Sequence, residues 1–238
     1  MVDLSSFVQP INAAVIGASG GIGQALVSAL EQSEYVDHVF CFARNAPNAM
    51  PMDICDEESI SHAAAQINKP LHLVIVATGL LHDENIAPEK ALKDLSADNM
   101  WRLFEVNAIG PSLVAKHFIP LLPREGKTVF AAMSARVSSV SDNRLGGWHS
   151  YRTAKAALNM MIKNIAIETG RQNKETAIIG LHPGTVDTSL SLPFQGNVPE
   201  GKLFAPEQSA QYLLNVINQI SHADTGKLFA WDGEEIEP

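Results

Sequence analysis

The sequence is poor in cysteine and in basic residues, and it has no long apolar run. Its two cysteines, Cys41 and Cys55, form neither a CxxC pair nor a metal-ligand spacing, a usage that suits a reducing compartment. Lysine and arginine number 17 against 26 aspartate and glutamate residues, which gives a net charge of −9. Because nucleic acids and anionic membranes attract basic surfaces, we expect neither as a partner.

Two further absences narrow the class of protein. Residues 1–10 lack a basic stretch followed by an apolar core, so we expect no signal peptide, and no apolar run approaches a membrane span in length. None of the eight histidines pairs at HxxxH spacing beside a carboxylate, so we expect no metal ion. These features predict a cytoplasmic protein whose partners are small molecules.

Short apolar runs alternate with longer amphipathic segments along the chain. This pattern predicts strands at 12–17, 36–43, 71–77, 128–133, 175–181 and 227–231, and helices at 21–31, 56–66, 96–122, 148–169 and 206–220. In the longest helix we expect a kink at Pro111. Strands this apolar are buried on both faces, as in a parallel sheet covered by helices. We therefore predict one α/β domain over residues 1–238, a Rossmann-like doubly wound parallel sheet with helices on both faces.

A glycine-rich segment joins the first predicted strand to the first helix. It reads Gly17-Ala18-Ser19-Gly20-Gly21-Ile22-Gly23, the pattern G-x-x-x-G-x-G. Glycine lets backbone approach backbone and ligand closely, and the following helix directs free N–H groups and its positive dipole end at a pyrophosphate. The position between a strand and a helix favours a dinucleotide-binding loop over a plain tight turn.

A tyrosine and a lysine stand four residues apart on the helix predicted at 148–169. Tyr151 and Lys155 therefore project from one helix face. A free phenol has a pKa of about 10, which suits neutral proton transfer poorly. A nearby ammonium lowers that pKa by stabilising the phenolate, and it can also hydrogen-bond a cofactor ribose. The pair predicts acid–base chemistry.

Taken together, these motifs resemble the classical short-chain dehydrogenases/reductases over essentially the whole chain. The shared motifs, in the order of that family, are the glycine loop, Asn107, a serine at a strand end, Tyr151 with Lys155, and residues 182–185 (HPGT). Four segments are similar to the C-factor and sniffer-like carbonyl reductase branch of the family: 134–139 (SARVSS), 146–148 (GGW), 181–188 (LHPGTVDT) and 230–233 (AWDG).

The resemblance implies a role for each motif. Tyr151 would protonate a carbonyl oxygen as hydride arrives, Lys155 would lower the tyrosine pKa and hold the nicotinamide ribose, and Asn107 would anchor a water in the proton relay. Asp53 would contact the adenine. The cofactor contacts implied overall are those of Gly17, Ser19, Gly20, Gly21, Ile22, Gly23, Arg44, Asp53, Ala77, Thr78, Gly79, Asn107, Tyr151, Lys155, Pro183, Gly184, Val186 and Thr188.

The sequence departs from the family pattern in two places. After the third strand the family usually carries Asn-Ala-Gly, whereas this chain has Ala77-Thr78-Gly79; the asparagine mainly steadies the sheet. The catalytic serine, which would hydrogen-bond the substrate oxygen, is also ambiguous. We favour Ser134, because it ends a strand. Ser138 has the usual spacing of thirteen residues before Tyr151, and an alignment on a paired Ser-Ser would place Ala135 there instead.

The end of the second strand indicates the choice of cofactor. In NAD-binding members of this fold an acidic residue there bonds the ribose hydroxyls and would repel a 2′-phosphate. Here Ala43 takes that position and Arg44 follows. A guanidinium matches phosphate geometry and stays charged, so we expect NADP(H) as the cofactor.

The function we expect is hydride transfer between NADP(H) and a small, fairly apolar aldehyde or ketone, or the corresponding alcohol. An alternative is a nucleotide-binding regulatory protein of the C-factor type with little turnover. A sugar-nucleotide epimerase or dehydratase shares the fold and the Tyr/Lys pair, but it usually carries a larger C-terminal substrate domain. Residues 188–205 are predicted as a lid or as a static apolar loop. The helices at 96–122 and 148–169 make a homodimer or homotetramer plausible, as is usual in the family.

Overall fold

The fold is an all-parallel seven-stranded sheet with helices on both faces. The computed structural model describes residues 2–237, apart from the side chain of Asn197. The strand order in the sheet is β3-β2-β1-β4-β5-β6-β9, and a separate two-stranded sheet pairs β7 with β8. The order reverses direction after β1, and this switch point is where open α/β sheets bind ligands at the carboxyl ends of their strands.

The bounds of the elements follow the predicted alternation closely. The strands are β1 (Ile11–Ile16), β2 (Val36–Ala43), β3 (Met50–Pro51), β4 (Leu73–Val76), β5 (Thr128–Met133), β6 (Thr176–His182), β7 (Thr185–Val186), β8 (Leu203–Phe204) and β9 (Leu228–Ala230). The α-helices are α1 (Gly21–Glu31), α2 (Glu57–Ala65), α3 (Ala97–Phe104), α4 (Gly110–Phe118), α5 (His149–Thr169) and α6 (Pro206–Gln219). The short strands β3, β7 and β8 lie in segments for which no strand was predicted.

The apolar strands divide the core into two layers, one on each face of the sheet. Alternate strand residues such as Val15 and Ile75 pack against α1 and α6. Their neighbours, such as Val74 and Phe130, pack against α2, α4 and α5. Every residue of β1, β4 and β5 is buried. The double-sided burial confirms the prediction made from their apolar character.

The segment predicted as one helix with a kink at Pro111 is broken one turn earlier. A π-helical turn at Glu105–Ile109 joins α3 to α4, and the N–H of Gly110 donates to the carbonyl of Glu105. Pro111 follows this turn as the second residue of α4, and its ring nitrogen has no N–H to donate to a carbonyl of the preceding turn. The departure from α-helical geometry thus lies in the turn just before the proline, next to the position at which the kink is predicted. π-turns of this kind occur often at functional sites.

Within residues 2–237, no helix combines the length and the apolar character that crossing a membrane requires.

Candidate active site

The glycine loop is packed so tightly that it admits no side chain at two of its positions. A Cβ built on Gly23 would lie 2.1 Å from the carbonyl oxygen of Gly17. Gly17 has φ +87°, and a Cβ there would lie 2.9 Å from Cγ2 of Thr78. The first turn of α1 holds no acidic residue, and no side chain caps it. Its N–H groups therefore remain available to an anion.

Two cavities meet at the end of β4. One, of about 230 Å³, is bordered by the glycine loop and the ends of β2 and β3. The predicted residues that line it are Gly17, Ser19, Gly20, Arg44 and Asp53. The other has a volume of about 260 Å³, and the predicted residues that line it are Ile22, Ser134, Tyr151, Lys155, Pro183, Gly184, Val186 and Thr188. Ala77, Thr78 and Gly79 line both cavities. A dinucleotide laid across this junction would reach from the first cavity into the second.

The residues that line the first cavity are suited to a phosphorylated nucleotide. Arg44 is exposed and has no ion-pair partner among the described residues, and Ala43 puts no carboxylate beside it. Asp53 is held in place, since its backbone N–H donates to Ser59 Oγ at 3.0 Å and its carboxylate accepts from the N–H of Cys55 at 2.9 Å. At the junction, Thr78 Oγ1 is buried with no hydrogen-bond partner among the described residues. An unsatisfied buried hydroxyl calls for a ligand or a water.

Tyr151 and Lys155 lie together on the wall of the second cavity, and both are buried. Lys155 Nζ donates to the carbonyl of Met133 at 2.6 Å and stands 5.9 Å from the centre of the tyrosine ring. Burial raises the pKa of Tyr151 to about 12 and lowers the pKa of Lys155 to about 7. The sequence argument expected a lowered tyrosine pKa. In the protein without cofactor that expectation was wrong, because the burial of Tyr151 raises its pKa more than the ammonium 5.9 Å from the ring lowers it. The phenol is therefore protonated at neutral pH, as a proton donor must be.

Asn107 lies in the π-turn, behind the cavity wall and fully buried. Its Nδ2 donates to the carbonyls of Leu80 at 2.7 Å and Leu103 at 3.0 Å, and its Oδ1 accepts from the N–H of Leu80 at 3.1 Å. The side chain thus ties the segment after β4 to the π-turn. A Cβ built on Gly79 would lie 3.6 Å from Asn107 Oδ1 and 3.8 Å from Lys155 Nζ, so both atoms border the space beside Gly79.

The two candidate serines are joined through Asn159, a residue that the sequence analysis did not identify. Ser134 Oγ donates to Asn159 Oδ1 at 2.6 Å, and Asn159 Nδ2 donates to Ser138 Oγ at 2.7 Å. Ser138 Oγ in turn donates to the carbonyl of Ala135 at 2.5 Å. Ser134 and Ala135 line the second cavity, whereas Ser138 is not among its lining residues. Asn159 follows Tyr151 and Lys155 at the same four-residue spacing, and this helical spacing was the signal available in the sequence.

Residues 188–205 form part of the cavity wall. Within this segment, Phe194 packs edge-to-face on Trp148, with 4.9 Å between ring centres, and on His82 at 5.6 Å. The ring nitrogen Nε2 of His82 lies 3.2 Å from the carbonyl of Ser189 and 3.1 Å from that of Leu190. The segment is thus tied to the loop after β4 and covers the second cavity in this conformation.

Besides Asn107, two predicted residues border the site without lining either cavity. Gly21 begins α1, and a Cβ on it would lie 2.7 Å from Cγ2 of Thr188. Gly23 is buried against the backbone of the loop itself. Arg102 lines the first cavity although the sequence analysis missed it. Arg102 donates to Glu105 Oε2 at 2.6 Å and to Cys55 Sγ at 3.3 Å.

The chain is similar in sequence to a known protein family and to individual proteins. A family model described as Enoyl-(Acyl carrier protein) reductase, of the short-chain dehydrogenase/reductase type, matches residues 17–230. The chain is 30% identical over 185 residues to 1-hydroxy-2-glutathionyl-2-methyl-3-butene dehydrogenase of Rhodococcus sp. (strain AD45), a match that covers 76% of each protein. It is 32% identical over 146 residues to C-signal of Myxococcus xanthus, which covers 61% of this chain and 82% of C-signal.

Solved structures share the fold at lower sequence identity. The NADPH-bound carbonyl reductase from chicken fatty liver superposes with a TM-score of 0.82 at 22% identity, covering 98% of this chain and 96% of that one. The carbonyl reductase Sniffer of D. melanogaster superposes with a TM-score of 0.83 at 18% identity, covering 97% and 100%. The family model extends from the glycine loop to the last strand of the sheet, and on that basis the chain belongs to the short-chain dehydrogenase/reductase family of oxidoreductases.

Proposed function

We propose that this protein reduces small, fairly apolar aldehydes and ketones with NADPH, and that Tyr151 donates the proton. The observation that carries the proposal is the meeting of the two cavities at residues 77–79, with Tyr151 and Lys155 on the wall of the second. That second cavity has a volume of about 260 Å³ and is lined by apolar side chains such as Leu81, Trp148 and Phe194, which supports a small apolar substrate. The carbonyl reductases with the same fold support the choice of reaction.

NADPH, when bound, supplies the hydride. The chain's own residues supply orientation and the proton. Lys155, held by the Met133 carbonyl, would bond the nicotinamide ribose; Arg44 would bond the 2′-phosphate. Pro183, Gly184, Val186 and Thr188 would border the nicotinamide, while Asn107 and Lys155 would hold a water beside Gly79. Tyr151 would transfer its phenolic proton to the carbonyl oxygen as negative charge develops there.

Reduction and oxidation should depend differently on pH. Reduction needs Tyr151 protonated, and its raised pKa keeps it so through neutral pH. Lys155, whose pKa burial lowers to about 7, keeps N–H groups that can bond the ribose in either charge state. We therefore expect kcat/KM for reduction to change less than about threefold between pH 6 and 8. Oxidation needs the phenolate, whose fraction rises about tenfold for each pH unit below the pKa, so its kcat/KM should increase steeply from pH 7 to 10. Initial rates in both directions with one alcohol–ketone pair check this, and a tenfold fall of reduction between pH 6 and 8 would contradict it.

Ser134 and Ser138 should behave differently when each is replaced by alanine. Ser134 lines the substrate cavity, so Ser134→Ala should lower kcat/KM by about 10² to 10³-fold, as loss of a hydrogen bond to the reacting oxygen does. Ser138 does not line the cavity, and its hydroxyl bonds the carbonyl of Ala135 and the side chain of Asn159. Ser138→Ala should therefore lower the free energy of unfolding by about 1 kcal/mol and leave kcat near wild type. Steady-state kinetics with thermal melts separates the two. Equal, mild effects would mean that neither hydroxyl meets the substrate.

We also propose that the protein associates through α4 and α5. The surface groove between these helices, of about 850 Å³, is lined by apolar residues such as Ile109, Leu113, Met161 and Ile165. Nearby, Trp101 is 71% exposed and Met160 is 62% exposed. Apolar surface of this extent on paired helices is typical of an interface. Sedimentation of the wild type and of Met161→Glu tests the association.

The proposed reaction is tested by following NADPH absorbance against a panel of aldehydes, ketones and quinones. Turnover that requires Tyr151 supports the proposal. Tight NADPH binding without turnover on the whole panel would overturn it and would favour a regulatory protein, as the similarity to C-signal also allows.

A further inference from the structure

Glu89 is a buried acid that forms no ion pair within the described residues. It lies between β4 and α3 and is only 3% exposed. Its Oε2 accepts from the backbone N–H of Ser150 at 3.2 Å, and its Oε1 accepts from the Ser150 hydroxyl. It forms no ion pair with any lysine, arginine or histidine in residues 2–237. Both of these hydrogen bonds therefore join the carboxylate to the first turn of α5.

The same residue also holds the chain just before α5. The backbone carbonyl of Glu89 accepts from the N–H of Trp148 at 2.6 Å. Trp148 is at the N-cap position and has φ +49°, a conformation that costs a bulky residue about 1 to 3 kcal/mol unless its surroundings enforce it. Gly146 and Gly147, with φ of +62° and +66°, lead into it. Glu89 thus bonds the start of α5 twice, through its backbone carbonyl to Trp148 and through its carboxylate to Ser150.

Helix α5 has no cap of its own. Trp148 makes no side-chain cap, and no acidic residue lies in the first turn. A negative charge at a helix N-terminus is stabilising because it satisfies free N–H groups and opposes the dipole. Glu89 supplies this charge from a distant part of the chain.

The groups that Glu89 fixes are parts of the site. The indole of Trp148 lines the substrate cavity and packs edge-to-face on the ring of Tyr151 at 6.3 Å. Tyr151 directly follows Ser150, the residue that the carboxylate binds. A displacement at this turn would move the cavity wall and the proton donor together.

We propose that Glu89 is a positioning residue for catalysis: it caps α5 from outside the helix and so holds Tyr151 and Trp148 against the substrate. This inference rests on the proposed carbonyl reduction. Misplacing a reacting group by about 1 Å can cost about 10²-fold in rate, whereas binding of the adenosine half of NADPH in the first cavity should hardly respond.

The test compares Glu89→Ala and Glu89→Gln with Asp56→Ala. Asp56 caps α2, where its Oδ1 accepts from the N–H of Glu58 at 3.0 Å, and it makes a matched helix-capping control away from the substrate cavity. We expect Glu89→Ala to lower kcat about 10²-fold with the NADPH Kd within threefold of wild type. Glu89→Gln, which keeps an acceptor, should recover part of the loss. Asp56→Ala should lower the melting temperature and keep kcat.

Amide hydrogen exchange provides a readout that needs no turnover. Glu89→Ala should lose protection at residues 148–154 while α6 stays protected. If Glu89→Ala does not fold, the same measurements of kcat and of amide protection are made on Glu89→Gln and Ser150→Ala. Unchanged kcat and unchanged protection in the folded Glu89 variants would overturn the proposal. Failure of the wild type to reduce any carbonyl would instead overturn the proposed function, and the exchange result would still decide whether Glu89 orders α5.

Discussion

Replacement of Tyr151 by phenylalanine should abolish carbonyl reduction while leaving NADPH binding within a few-fold of wild type. The phenolic proton acts on the transition state and hardly on ground-state binding. A positioned acid contributes about 10² to 10⁴-fold, so kcat should fall by at least 10²-fold. The ring itself, buried beside Ala135 and Leu81, is retained in phenylalanine, so packing should not change.

Kinetics on the best substrate of the panel, with NADPH affinity measured by fluorescence, checks this expectation. Tyr35→Phe is the matched control, because Tyr35 precedes β2 at the opposite end of the sheet from the site. If the Tyr151 variant retains more than about a tenth of the wild-type kcat, a loss far smaller than acid catalysis accounts for, another group donates the proton.

Replacement of Arg44 by alanine should remove most of the preference for NADPH over NADH. Arg44 is exposed at the mouth of the first cavity, directly after the buried Ala43 at the end of β2. A forked guanidinium suits the 2′-phosphate, and no acid at the strand end repels it. We expect the wild type to prefer NADPH by about 10²-fold in kcat/KM, which corresponds to about 2.7 kcal/mol.

The comparison needs kcat/KM for both cofactors on a single substrate. Arg44→Ala should lower kcat/KM for NADPH and leave the value for NADH nearly unchanged, since NADH has no 2′-phosphate. Arg171→Ala, which removes another exposed arginine after the end of α5, should alter neither value. A wild-type preference for NADH would refute the assignment of NADP(H).

The sequence by itself determined the elements and the local motifs. Runs such as residues 128–133 are apolar enough to require burial on both faces, so their place in a parallel sheet follows from composition alone. The glycine loop and the pair Tyr151 and Lys155 are equally local, because a tight strand-to-helix turn and a four-residue helical spacing are properties of short segments. These patterns, with the order of the motifs, were sufficient to indicate the family.

Tertiary structure decided what depends on residues distant along the chain. Burial sets the direction of the Tyr151 pKa shift, and the hydrogen bonds of Asn159 distinguish the surroundings of Ser134 and Ser138. The π-turn before Pro111 holds Asn107 against the segment after β4. Glu89 meets Ser150 only in the folded chain. Such contacts carry no local periodicity, because they arise from the packing of elements that the chain brings together only after each has its own place in the fold.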